Sequence, residues 1–416
     1  MYENIERPQR AALVALDTGE YDVEVSLAEL EELANTAGAE VIVSVVQRRD
    51  APDKATCIGA GRLKELANFC AENEVDLVIF DRELSGSQLR NIEDIVDVRV
   101  IDRTTLILDI FAQRAVSSEG KLQVELAQLR YRLPRLAGLG TELSRLGGGI
   151  GTRGPGETKL ETDRRHIRRR ITALEEELAE LERKRQDLRR RRKKNGVLTA
   201  AIVGYTNVGK STLLNTLTSA GVLAEDKLFA TLDPTARAIK LPDGRTVVLI
   251  DTVGLIRRLP HMLVEAFHST LEEAAGSDVI LNLCDITSEE SFEQLEVTKQ
   301  LLSELGASDI PILTVCNKCD AVYDEFPPPH DGRVYISAKT GQGLDTMLAE
   351  MVKILRETTR RMTIVLPYTE AALAAQVRSE GKLLEERYTE DGLYLDAIID
   401  TETRLYRILS EYEQRS

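Results

Sequence analysis

The chain has 416 residues, 43% of them hydrophobic, enough to build packed cores in about three domains of roughly 100 to 200 residues each. Lys and Arg number 54 against 69 Asp and Glu, and a net charge of −15 argues against a general nucleic-acid binder. No apolar stretch approaches the roughly 20 residues that span a bilayer, and the opening Met1-Tyr-Glu-Asn-Ile-Glu-Arg7 has no signal-peptide core, so a cytoplasmic protein without a transmembrane segment is expected.

In chain order, Ala11–Leu16, Glu40–Val46, Val75–Phe80 and Val98–Ile101 read as strands, separated by helical patterns near residues 26–37, 61–73 and 85–96. This alternation describes an N-terminal α/β domain over residues 1–103. Ile58-Gly-Ala-Gly61, followed by a helix and by Asp81 twenty residues on, has the outline of a dinucleotide fingerprint. Its third glycine position is Lys64, so a structural strand-to-helix turn is the better reading.

Residues 104–195 read as a helical pair. A long helical pattern runs from Thr104 to Leu133 and stops at Pro134; six glycines in the ten residues 147–156 then predict a mobile loop, with no G-K-[ST] to make it a phosphate cradle. Beyond it Ile167, Ile171, Leu174, Leu178, Leu181 and Leu188 follow alternating steps of four and three, broken where Arg185 takes a seam position. The pattern predicts two antiparallel helices packed through this seam. From Leu160 to Asn195 there are 14 Arg or Lys against 8 Asp or Glu, a local +6, ending in Arg189-Arg190-Arg191-Arg192-Lys193-Lys194. Such a run is either a solvated helix face or a local docking surface for a polyanion.

Residues 196–358 carry the chemistry. Gly204-Tyr-Thr-Asn-Val-Gly-Lys-Ser211, after the apolar run Thr199–Val203, is a G-x4-G-K-[ST] loop that chance would produce in a chain of this composition on the order of one time in a hundred. Asp251-Thr-Val-Gly254, Asn317-Lys-Cys-Asp320 and Ser337-Ala-Lys339 follow, with steps of 41, 66 and 20 residues between Lys210, Asp251, Asn317 and Ser337. Taken singly, each is a turn after a strand; taken together, they describe a guanosine triphosphate pocket.

Each position has a physical reason. Gly204 and Gly209 permit the tight turn that aims backbone N–H groups and the following helix N-terminus at the phosphates, with Tyr205, Thr206, Asn207, Val208 and Thr212 completing the loop. Lys210 reaches the β and γ phosphates. Ser211 offers a hydroxyl to Mg²⁺ and Asp251 holds the same ion from the far side. Gly254, after Thr252 and Val253, presents its N–H to the γ-phosphate. Asp320 can accept from both N1–H and N2–H of guanine, which adenine does not offer in that arrangement, and so sets the base. Ala338, between Ser337 and Lys339, gives an N–H to the guanine O6, while Lys318 and Lys339 lay their alkyl stems along the base. Cys316-x-x-Cys319 encloses the Asn317-Lys318 of the base-reading motif and has no second ligand pair, so metal or redox chemistry is set aside and all five cysteines are read as reduced core thiols. Residues 359–416 read β-α-β-β-α, a small α+β domain with Tyr394–Ile399 as its clearest strand.

At this point the chain resembles the HflX family of ribosome-associated GTPases, within the Obg-HflX group of the translation-factor class. The residues that carry the likeness, besides the G motifs, are Ile58–Gly61, Phe80–Ser85 with Gln88–Asn91, Val100–Thr104 with Leu106–Ala112, Gln123–Gln128, and above all Gly148-Gly-Ile-Gly-Thr-Arg-Gly-Pro-Gly-Glu157 with Leu160–Arg165. The resemblance implies a monomer that binds GTP and GDP and docks on the large ribosomal subunit and its RNA, splitting or rescuing ribosomes. It also places the first switch in Phe229-Ala230-Thr231-Leu232-Asp233-Pro-Thr235, with Thr231 as the hydroxyl that joins Mg²⁺ and senses the γ-phosphate, and Thr235 in reserve. In some related GTPases the residue at Asn207 helps to hold K⁺ beside the phosphates; here it either does so or bonds the loop's own backbone.

The expected fold class is α/β: a P-loop GTPase G domain with an N-terminal α/β domain, a long antiparallel helical pair and a small C-terminal α+β domain. The expected activity is GTP hydrolysis by a switch with Lys210, Thr231 and Gly254 at the reacting phosphate. Leu255 stands where many GTPases carry a water-orienting glutamine, so intrinsic hydrolysis should be slow. The alternative is a nucleotide-regulated RNA-binding module with incidental hydrolysis. A hydrolase with a side-chain nucleophile has little support, because none of His166, His261, His268 and His330 lies in a nucleophile motif.

Overall fold

A computed structural model describes residues 7–136, 155–194, 197–218, 228–229, 235–258, 260, 273–355, 359–389, 391–401 and 403–413. The chain divides into two compact units. The first comprises Met1–Ala179 with two later segments, Glu225–Asp233 and Ile256–His268; the second comprises Glu180–Ala224, Pro234–Leu255 and Ser269–Ser416. Among the described residues no helix is long and apolar enough to cross a membrane.

The first unit starts with a four-stranded parallel sheet of order β2-β1-β3-β4, from β1 (Gln9–Asp17), β2 (Ala39–Arg48), β3 (Leu77–Phe80) and β4 (Arg99–Asp102). Ala11 to Leu16 are all buried, as a strand covered on both faces requires. Helices α1 (Val23–Thr36), α2 (Ala60–Glu72) and α3 (Gly86–Val96) join successive strands where the periodicity predicted them. The order reverses between β1 and β3, so the loops after these strands flank a crevice of the kind in which doubly wound sheets hold ligands. Asp81 opens the loop after β3.

The long helix expected over Thr104–Leu133 is two helices, α4 (Arg103–Arg114) and α5 (Ser118–Arg135). Ser117 ends the continuity: its side chain accepts from Gly120 N and caps α5, a local bond that competes with helix propagation. Pro134 lies inside the last turn of α5 instead of ending it. Asp102 ties these helices to the sheet: fully buried, it caps α4 through Thr105 N at 2.9 Å and accepts from Leu84 N at 3.0 Å and from the Tyr131 hydroxyl. The Arg135 guanidinium covers the Tyr131 ring at 3.3 Å.

A single 40-residue helix follows, α6 (Pro155–Lys194). It includes Pro155 and Gly156 of the expected glycine loop; residues 147–154 of that loop lie outside the described residues. Leu174 is buried, and Ile167, Ile171, Leu178, Leu181 and Arg185 are half-buried, which is the predicted seam. Leu188 departs from it at 50% exposed. Arg170 pairs with Glu125 through two 2.7 Å bonds, and Arg130 with Glu175 at 2.7 Å, so ion pairs join α5 to α6.

The second unit is built on a six-stranded sheet of order β10-β9-β8-β5-β7-β6, parallel except for β6 (Thr235–Lys240) against β7 (Thr246–Asp251). Its central strand β5 (Leu198–Gly204) is buried at every residue. β8 (Val279–Asp285), β9 (Ile312–Asn317) and β10 (Arg333–Tyr335) complete it, with helices α7 (Lys210–Thr218), α8 (Ser291–Glu304) and α9 (Leu344–Ile354). The tail forms an antiparallel sheet of order β11-β13-β12, from β11 (Thr359–Leu366), β12 (Lys382–Thr389) and β13 (Gly392–Asp400), with α10 (Ala371–Glu380) and α11 (Arg404–Leu409) packed on one core. This is the β-α-β-β-α order of the sequence.

Removing the methyl-rich end of the buried seam residue, Leu174→Ala, should cost about 2–5 kcal/mol, whereas Leu188→Ala should stay within about 0.5 kcal/mol. Urea unfolding followed by circular dichroism measures both. Equal midpoints for the two variants would contradict the seam.

Candidate functional site

Strand β5 delivers the chain to a loop that only particular residues can follow. Gly204 has φ +148, and a Cβ there would lie 2.4 Å from the Leu283 carbonyl oxygen; Gly209 has φ +95, and a Cβ would lie 2.3 Å from Asn317 Nδ2. The loop then feeds α7, whose first residue is Lys210. The Lys210 ammonium is buried and donates to the carbonyls of Gly204 at 3.1 Å and Tyr205 at 2.6 Å. Burial pushes it down to about 8, with the nearby Asp251 acting in the opposite direction. A phosphate beside it would restore the charge that the apolar surroundings disfavour.

Asp251, the last residue of β7, is fully buried, and Ser211 Oγ donates to its Oδ2 at 2.8 Å. Two hard oxygen donors thus meet beside the phosphate loop, a donor set that fits Mg²⁺. Thr252 continues the strand's pairing through its hydroxyl, which donates to Ile202 O at 2.7 Å. Beyond Val253, Gly254 is pressed against the loop: a Cβ would lie 2.6 Å from Thr206 Cγ2 and 3.0 Å from Lys210 Nζ. Leu255 N donates to Gly204 O and Thr206 N donates to Leu255 O, a short bridge that fixes this approach. The Leu255 side chain belongs to the buried core, so it is withheld from the phosphate site as well as unable to hydrogen-bond.

The base-reading motifs come from β9 and the loop after β10. Asn317 donates from Nδ2 to Val208 O at 2.7 Å and accepts at Oδ1 from Ala338 N at 2.8 Å, joining three of the four motifs through one side chain. The Ala338 N–H, expected to face the guanine O6, is directed at Asn317 here. Lys318 has φ +62 and its ammonium bonds Asp285 Oδ2 at 2.7 Å, which anchors the far end of its stem. Cys319 is buried with its N–H on Ile336 O; Asp320 and Lys339, the residues expected to contact the base, are exposed. Ser337 accepts from Thr340 N and is fully buried.

Most expected site residues therefore gather at the C-terminal edge of one sheet: Gly204 to Thr212, Asp251 to Gly254, Asn317 to Asp320 and Ser337 to Lys339. The Phe229 ring packs edge-on against Phe111, with centroids 4.5 Å apart, within the first unit. Ala230, Thr231, Leu232 and Asp233 lie outside the described residues, as do His261 and His268. The side chain of Asn207 is exposed at φ +62, and among the described residues it makes no hydrogen bond to the loop backbone. Two supporting residues escaped sequence reasoning: Asp285, whose position at the end of β8 was the available signal, and Thr216, whose hydroxyl donates to Ala338 O at 2.6 Å.

Comparison with known proteins agrees with this geometry. Residues 24–112 match the family described as GTP-binding GTPase N-terminal, residues 114–192 the GTP-binding GTPase Middle Region, and residues 199–318 the 50S ribosome-binding GTPase. Among similar proteins, "GTPase HflX" of Caldanaerobacter subterraneus subsp. tengcongensis is 53% identical over 95% of this chain and 92% of its own length. That of Lacrimispora saccharolytica is 51% identical over 95% and 94%, and that of Escherichia coli 42% over 94% and 93%.

Asn317→Asp would set an oxygen against the Val208 carbonyl where an N–H now donates. The unmade buried bond should cost about 1–3 kcal/mol, and GTP and GDP affinity should fall together. Calorimetric titration tests this; unchanged affinity for GDP would show that the loops hold their places without the bridge.

Proposed function

As a member of the HflX family of GTPases this chain binds and hydrolyses GTP, and from that premise we propose that it is a molecular switch whose effector is the large ribosomal subunit, acting in ribosome splitting or rescue in the cytoplasm. The observation that carries the reading is the match of its G domain to a family described as 50S ribosome-binding. Four functional parts follow: residues 1–103 and 104–195 as the RNA-facing portion, 196–358 as the nucleotide switch and 359–416 as an appendage without chemistry of its own.

In the mechanism Lys210 exchanges its two carbonyl partners for β and γ phosphate oxygens. The loop amides from Gly204 to Thr212 surround the phosphates, Gly254 N–H meets the γ-phosphate, and Asp320 reads the guanine edge. Ser211, Asp251 and Thr231 are the residues that would hold Mg²⁺, which neutralises charge on the phosphate oxygens when bound. Because Leu255 is buried in the core, no side chain at that position orients the attacking water. Intrinsic turnover is therefore slow, and the ribosome accelerates it by ordering the switches or by supplying the missing group.

The basic run at the end of α6 divides in two. Arg189 and Arg192 both pair with Glu273, at 3.1 and 3.9 Å, and so serve the protein itself; Arg190 and Arg191 are exposed, Arg190 beside the equally exposed Asp187 at 3.8 Å. The polyanion-docking role belongs to the second pair. Replacing both with Glu should weaken binding to large subunits and reduce the slope of log K against log salt by about one for each phosphate no longer neutralised, leaving GTP affinity unchanged. Co-sedimentation across a salt series measures this, and parallel slopes for variant and parent would return the run to a solvated face.

With its side chain exposed and not bonded to the loop, Asn207 is available to a monovalent cation beside the phosphates. Such an ion would neutralise charge that develops in the transition state. Hydrolysis should then be faster in K⁺ than in Na⁺ at matched ionic strength, and Asn207→Ala should abolish the difference. Equal rates in the two salts would exclude the ion.

A further inference from the structure

The residues after Gly254 do not stay with the sheet that carries the phosphate loop: from Ile256 the chain belongs to the first compact unit. There Arg258 enters the crevice at the strand-order reversal of the N-terminal sheet. Its Nη2 donates to Asp81 Oδ2 at 2.6 Å, to the Asp81 carbonyl at 3.1 Å and to Ser26 Oγ at 2.7 Å, and its guanidinium lies 3.8 Å from the centre of the Tyr21 ring. Ser26 Oγ and the Tyr21 hydroxyl also donate to Asp81 Oδ2. The other carboxylate oxygen accepts from Arg103 Nη1 at 3.0 Å, and Arg103 bonds Glu29 and the carbonyl of Arg257 at 3.2 Å.

The charge balance explains why the segment is needed. Asp81 is fully buried, and Arg103 is 4% exposed. Without Arg257 and Arg258, one buried arginine would face two carboxylates, and burial already pushes the Glu29 carboxyl above its usual range despite Arg103 beside it. The crevice is built to receive a cation, and the cation comes from the protein's own chain. Arg258 also holds φ +47, a sparsely populated conformation that persists where the surroundings fix it. A second anchor supports the arrangement: Phe229, two residues before Thr231, buries its ring against Phe111 in the same unit. Both segments expected to sense the γ-phosphate are thus gripped at one end by the N-terminal unit.

We propose that Asp81, with Ser26, Tyr21 and Arg103, is a positioning site for GTP hydrolysis that captures Arg258 and so holds the Gly254 peptide toward the γ-phosphate. The inference rests on the placement of Gly254 at that phosphate. The γ-phosphate and the Asp81 crevice grip opposite ends of the five residues 254–258, so each strengthens the other's hold, and by linkage the nucleotide state is transmitted to the N-terminal unit. GDP, lacking the γ-phosphate, leaves the Gly254 end held only by the Leu255 bridge to the phosphate loop, without the added grip that couples it to the crevice. Asp81 touches no reacting atom; it acts through Arg258.

The test uses the full chain, with a non-hydrolysable GTP analogue and GDP titrated separately. Arg258→Gln should lower affinity for the analogue roughly 5- to 150-fold, the usual range for coupled sites, and leave GDP affinity unchanged. Arg258→Lys, which keeps the charge at Asp81, should restore part of the loss. In the parent chain, hydrogen exchange at the amides of residues 79–83 should slow with the analogue but not with GDP, and this difference should vanish in Arg258→Gln. A variant with the parent's ratio of analogue to GDP affinity, or one that loses both equally, would overturn the proposal, since a merely structural role moves both together. Asp320→Asn, assayed for a shift from guanosine to xanthosine nucleotides, separates the two levels of argument. A shift there with no effect of Arg258→Gln would refute the positioning site alone, and no shift would refute the nucleotide-site placement beneath it.

Discussion

Two hydrogen bonds from the Asn317 amide decide whether the phosphate loop and the base-reading loops form one site or two. Its Nδ2 holds the Val208 carbonyl and its Oδ1 holds the Ala338 N–H, while Gly209 passes so close that no larger residue fits. An amide is the side chain that suits this place, because it must donate on one side and accept on the other. Deep in the sheet edge, where an unmade bond is most destabilising, this double role ties the loop after the central strand to the loop that carries Ala338.

Much of this arrangement was legible in the sequence. The apolar runs from Ala11 and from Thr199 marked the central strands of both sheets, since a parallel strand covered on both faces has little freedom of composition. The G motifs placed their residues because each requirement is local: a glycine where φ is positive, a hydroxyl one residue after Lys210, a carboxylate at a strand end. The stripe from Ile167 to Leu181 was equally plain, since a helix repeats its surroundings every three or four residues.

What the sequence concealed were choices among long-range partners. Arg189 and Arg190 are adjacent and chemically identical, yet one reaches Glu273 and the other stays exposed beside Asp187 of its own helix, a difference set by a turn of about 100° along the helix. Leu255 reads only as a missing glutamine until its burial is seen. The division of α4 from α5 depended on a single serine hydroxyl competing with helical periodicity. Hardest of all was Asp81, whose motif stood out in the sequence without an assignable role, because the arginine that completes it lies 177 residues away.

That separation matters while the protein is being made. A ribosome adds roughly 5–20 residues per second, so about 10 to 35 s pass between synthesis of Asp81 and synthesis of Arg258. For that interval the N-terminal unit has its strands and helices but a crevice with an excess of buried negative charge, and Phe111 has no ring to cover it. The unit is born first and completed late, by segments that belong in sequence to the nucleotide switch. Maturation of the nascent chain therefore ends with the same contacts that the finished protein uses to register its nucleotide.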